Sequence, residues 1–153
     1  MTNSAPPVGN SGRENIARDR RLILDSNEYI FGIPGDKASC ARLMERLNEL
    51  CVYVPAMVVK EVRDNLQREY GLGKEFFRLI VRKENITVMW VDPPANLVAK
   101  YTALGFAEED VVIAACAEWI GAEYLISENK HFLERSDVTP FAIINAETVL
   151  SLL

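Results

Sequence analysis

The chain is poor in the residues that would announce an extracellular, membrane-bound or metal-finger protein. Across 153 residues there are three cysteines and one histidine. Cys40, Cys51 and Cys116 are odd in number, far apart and free of CxxC spacing, which excludes a disulfide framework or a cysteine-rich zinc site and predicts reduced, buried thiols. No run approaches the roughly 18 consecutive apolar residues of a membrane helix, and the first residues lack the apolar stretch of a secretory signal. A soluble, cytoplasmic protein is expected. Basic residues are outnumbered by acidic ones, 17 to 22, leaving a formal charge of −5. This counts against a simple nucleic-acid-binding module, because Lys and Arg supply most non-specific affinity for phosphate. It does not exclude a nuclease, since carboxylates gathered round a divalent cation lower the net charge while presenting a positive ion.

What the chain does have is apolar residues, 49% of the total, enough for one substantial core. Residues 1–20 mix Pro, Gly, Ser, Asn and Arg without periodicity and read as a flexible N-terminal segment. From residue 21 to residue 153 short apolar runs alternate with helical patterns. Leu22–Leu24, Cys51–Val54, Thr87–Val91, Tyr124–Ile126 and Ala142–Ile144 read as strands. Helical spacing spans Asp36–Leu50, a segment opened by Pro55 in its first turn, Lys74–Arg82, Ala95–Leu104, Val111–Ile120 behind the acidic Glu108-Glu109-Asp110, and about six residues from Ala146. This rhythm predicts a single α/β domain with a mostly parallel sheet covered on both faces.

Ligands of such sheets bind beyond the carboxyl ends of the strands, where Asp25 and Asn129 fall. Glu61 and Asp110 sit among apolar residues, where an unpaired carboxylate is costly and a nearby cation would offset that cost. Singly, each has an ordinary reading: Asp25 as a turn or helix cap, Asp110 as a helix-dipole residue, Glu61 as a solvated partner of Lys60 or Arg63. Lys60, Arg63, Arg68, Lys74, Arg78, Lys100 and Lys130 are candidate phosphate contacts, although such residues are more often plain solvated faces. His131 reads as a surface or capping residue, and Trp90 and Trp119 as core.

Four segments in order, LILDSN at 22–27, VPAMVVKEV at 54–62, DVVIAACA at 110–117 and GAEYLISENKHF at 121–132, resemble the PIN-domain ribonucleases, most closely the small VapC-type toxins and their single-domain relatives. The resemblance implies a PIN-like three-layer α/β/α sandwich and Mg²⁺- or Mn²⁺-dependent endonucleolytic hydrolysis of RNA. It places metal ligands at Asp25, Glu61 and Asp110. The fourth position of the pattern, usually acidic, is Asn129, which brings a carbonyl oxygen and no charge. Ser127 matches a hydroxyl position that would bind water or orient Asp25, and Asn27 a polar position that would position water or substrate. An antitoxin partner and a homodimer are further implications. The alternative is a weakly active or inactive PIN-like module that binds RNA or protein. A phosphatase or receiver-like domain using Asp25 and Lys130 would leave Glu61 and Asp110 unexplained.

Overall fold

In the computed structural model, which describes residues 20–153, five strands form one parallel sheet in the order β3-β2-β1-β4-β5. The strands are β1 (Arg21–Leu24), β2 (Cys51–Pro55), β3 (Ile86–Met89), β4 (Tyr124–Ile126) and β5 (Ala142–Ile144). The central strand pairs on both sides, Ile23 lying opposite Tyr53 on β2 and Leu125 on β4. Leu22, Ile23 and Leu24 are almost wholly buried, which is why β1 is a continuous apolar run and not an alternating one.

Eight α-helices connect and cover the strands among the described residues: α1 (Ser26–Gly32), α2 (Ala38–Glu45), α3 (Ala56–Tyr70), α4 (Gly73–Ile80), α5 (Ala95–Ala103), α6 (Glu108–Trp119), α7 (Lys130–Leu133) and α8 (Ala146–Ser151). One layer joins α1 to α2 and α3, α3 to α4, and α2 to α8; the other joins α5 to α6, with α6 against β1 and β4. Right-handed crossovers put the two groups on opposite faces, completing the three-layer α/β/α sandwich. The chain runs outward from β1 through β2 to β3, then returns to β4 on the other side of β1. That reversal makes the carboxyl ends of β1 and β4 the place where sheets of this kind form their crevice. Among the described residues no helix is long and apolar enough to cross a membrane.

Several expectations need correction. The expected flexible segment lies outside the described residues as far as residue 19, whereas Arg20 donates to the Tyr124 hydroxyl at 2.9 Å. A helix, α1, begins directly after Asp25 where no helix was assigned; Asp25, read as a turn or helix cap, is its N-cap and accepts from the Ser26 N–H at 2.8 Å. Pro55 ends β2, opposite Met89, and caps α3 instead of opening its first turn. The helix expected to reach Arg82 stops at Ile80. Trp90, expected in the core, is 70% exposed, because the β3 ladder ends at Met89. Trp119 packs partly buried against the core, and Cys51 is half-buried, unlike the buried Cys40 and Cys116. None of the three cysteines is joined in a disulfide.

Candidate active site

Asp25 is carried to the crevice by β1, whose ladder continues one step further as the Asp25 N–H donates to the Ile126 carbonyl at 2.8 Å. Its side chain is held at both oxygens. One accepts from the Ser26 N–H, and the other accepts from the Ser127 hydroxyl at 2.8 Å, across the β1–β4 junction. Ser127 is itself fully buried and takes the Asn129 N–H on its oxygen at 3.0 Å. A carboxylate with both oxygens engaged has a defined direction. Burial raises its affinity for protons above the ordinary range against these two bonds, and the charges of Glu61 and Glu109 add to the rise.

Glu61 reaches this centre from α3, accepting from the Ser26 hydroxyl at 2.8 Å. The residue is exposed, so the apolar surroundings inferred from sequence do not enclose it; its neighbours Val59 and Val62 face the core while Glu61 stands at the rim. Asp110, in the first turn of α6, is buried and lifted to about 6, first by burial and then by the charges of Asp25, Glu109 and Glu61. His131 acts the other way. Asp25, Glu61, Asp110 and Glu109 thus share one electrostatic field, although the ligand atoms of Asp25, Glu61 and Asp110 do not all lie within 4.8 Å of one another, as those of Glu28, Cys40 and Glu128 do.

Asn129 lies at the crevice as the N-cap of α7, with its side-chain oxygen accepting from the His131 N–H at 2.9 Å. Asn27 is half-buried in the first turn of α1. His131 is exposed. Of the candidate phosphate contacts, Lys60 and Arg63 both pair with Asp64, Arg68 with Glu69, Arg78 with Glu75 and Lys100 with Glu118. Lys130 stands in α7 next to Asn129.

Two contributors were not singled out from the sequence. Ser26 links Asp25 to Glu61 through its N–H and its hydroxyl. Glu109 adds to the field felt by both aspartates. Each is the immediate neighbour of a singled-out aspartate, and that adjacency was the available signal.

The donor set suits a hard divalent cation: oxygen atoms only, two buried carboxylates with raised proton affinity, and a third carboxylate at the rim. Mutual repulsion among these groups is the electrostatic deficit a cation would relieve.

No family model and no curated protein matches the chain. Solved structures do. VapBC2 from Rickettsia felis, described in complex with a DNA fragment from its promoter, aligns with a TM-score of 0.59 at 14% identity over 82% of this chain and 98% of that one. PAE2754 from Pyrobaculum aerophilum aligns at 0.56 and 21% identity, over 86% of this chain and 87% of that one. FitAcB from Neisseria gonorrhoeae aligns at 0.55 and 18% identity, over 82% and 98%. The chain therefore has the fold of these proteins, the PIN-like sandwich that its four sequence segments resemble.

Proposed function

We propose that the protein is a metal-dependent endoribonuclease whose site is built from Asp25, Glu61 and Asp110, with Mg²⁺ or Mn²⁺ as the cation. The observation that carries this reading is the Asp25 carboxylate, fixed by Ser26 and Ser127 at the topological switch point and sharing one field with Glu61 and Asp110. When bound, the cation would supply Lewis acidity toward a phosphodiester and a more acidic water. The chain's own residues do the rest. Ser127 keeps Asp25 turned toward the crevice, and Ser26 holds Glu61 at the rim. Asp110, protonated below about pH 6, must release its proton before it can serve as a ligand. Asn129 and Asn27 are assigned to positioning water or substrate, and Lys130 to a phosphate oxygen.

The VapC-type resemblance and the likeness to VapBC2 support the finer reading of a toxin paired with an antitoxin, acting on RNA in the cytoplasm, with a homodimer as the form to test first. A second reading, a PIN-like module that binds RNA or protein without cutting it, is favoured by one observation: Asn129 spends its side-chain oxygen on a helix cap and brings no charge.

Labelled single-stranded RNA incubated with increasing Mn²⁺ separates the two. Cleavage that requires the metal and is lost in both Asp25→Asn and Asp110→Asn supports the nuclease. RNA binding that survives both changes and needs no metal supports the second reading.

A further inference from the structure

The trio around Asp25 leaves a second cluster unused. Glu28 lies three residues after Asp25 on α1, Cys40 on α2, and Glu128 between Ser127 and Asn129. Glu28 and Cys40 are both 0% exposed. One Glu28 oxygen accepts from the Cys40 thiol at 3.4 Å, while the other, Oε2, is buried with no N–H or hydroxyl donor, the Glu128 carboxyl group being the one neighbour with which Glu28 can share a proton. Glu128 accepts from the Ala146 N–H at 2.9 Å and pairs with Lys37 at 3.0 Å. One ligand atom from each of Glu28, Cys40 and Glu128 lies within 4.8 Å of the other two. A buried carboxyl oxygen facing a second carboxylate and a thiol has to be satisfied by a proton or by a cation.

We propose that Glu28, Cys40 and Glu128 form a second cation site, separate from the trio, for a thiophilic divalent ion such as Zn²⁺. The donor set is one sulfur and two carboxylates, which suits a borderline-soft ion and not Mg²⁺. Zinc–sulfur and zinc–oxygen bonds at the tetrahedral angle span an S···O edge of about 3.6 Å. The Cys40–Glu28 separation of 3.4 Å is close to that edge. Lys37 supplies the one ammonium now paired with Glu128, and its side chain is 49% exposed, so it can withdraw to water as an ion enters from that side. Burial and then Glu128 lift Glu28 to about 9, and burial with the two carboxylates lifts the Cys40 thiol. These protons stand where a cation would replace them. The ion would tie α1 and α2 to the loop after β4, directly beside the Asp25–Ser127 bond.

Co²⁺ added to the chelator-treated full-length protein reports thiolate ligation through its near-ultraviolet charge-transfer absorption. The expected result is a saturable band that Zn²⁺ bleaches, lost in Cys40→Ser and Glu28→Gln but kept in Cys51→Ser and in Asp25→Asn, the last separating this site from the proposed nuclease centre. Lys37→Met, a change at a half-exposed side chain that leaves the core intact, should tighten Co²⁺ binding read at the same band. No band, a band that survives Cys40→Ser, or Co²⁺ binding unimproved by Lys37→Met overturns the proposal and leaves a proton shared between Glu28 and Glu128 in its place.

Discussion

At the scale of single residues, Ser127 is the most informative position. It touches neither substrate nor metal in the proposed reaction, yet it directs Asp25 by a 2.8 Å bond and receives the Asn129 N–H. Loss of a group that orients a ligand carboxylate costs roughly 10–100-fold in metal affinity or activity. Ser127→Ala should show that loss in a Mn²⁺ titration of cleavage, while Ser127→Thr, which keeps the hydroxyl, retains more activity than the alanine variant. Equal loss in both would separate Ser127 from the orientation of Asp25.

Glu28 yields a prediction of opposite character, on stability in metal-free buffer. Its folded-state proton affinity lies at about 9, against an ordinary value of 4.5. Because the native state then holds a proton that the unfolded state has released, stability falls as pH rises through the window from 4.5 to about 9. Asp110, raised from 3.8 to about 6, contributes in the same direction over a lower range. Glu28→Gln removes the titrating group, so its urea midpoint should change less than that of the wild type between pH 5 and pH 8.5. Parallel pH profiles for the two proteins would contradict the burial argument. Glu28 was invisible in the sequence for a physical reason: three residues after a capping aspartate, it has the place of a first-turn acidic residue that normally faces solvent. Its partners arrive from Cys40 and from the loop after β4, separations that no local pattern encodes.

At the scale of elements, the buried parallel strands were legible because each is covered on both faces and so reads as an unbroken apolar run. The acidic first turn of α6 was legible from Glu108-Glu109-Asp110 for the same kind of local reason. The helix α1 was not, since its capping residues also serve as turn formers and only seven residues follow before Ile33. Trp90 was misread because its apolar neighbours continue the β3 pattern past the point where the edge strand loses its partner. What holds α1 in place is close contact with α2 at Gly32. A Cβ there would stand 2.6 Å from the Met44 Cγ and 2.7 Å from the Cys40 carbonyl oxygen. The Met side chain can yield, but the carbonyl is backbone. Gly32→Ala should therefore destabilise by about 1–3 kcal/mol, the usual range for overpacking, and thermal unfolding would show it. Because α1 carries Asp25 at its start and Glu28 within its first turn, the same variant should also weaken Mn²⁺ binding.

At the scale of the whole molecule, charge decides how the proposed nuclease would take RNA. The formal charge is −5, and on the surface Lys60, Arg63, Arg68, Arg78 and Lys100 are each neutralised by a neighbouring carboxylate. Such pairs contribute little to stability, but they take these five cations out of the count that could displace counterions from a phosphate chain. Asp25, Asp110, Glu61 and Glu109 share one negative field, which on the proposed function would repel RNA until a divalent ion reversed it. Two consequences follow for binding measured with Ca²⁺ in place of the catalytic ion. In chelator, fluorescently labelled single-stranded RNA should show no saturable anisotropy change at low micromolar protein; with Ca²⁺ the change should appear, and it should vanish again in Asp110→Asn. Binding should also depend on pH with the sign set by Asp110: weak below about 6, where its proton excludes the cation, and rising above it. Tight binding in chelator would mean that the fold presents a cationic track elsewhere on its surface, and the acidic crevice would then lose its claim to be where the nucleic acid is held.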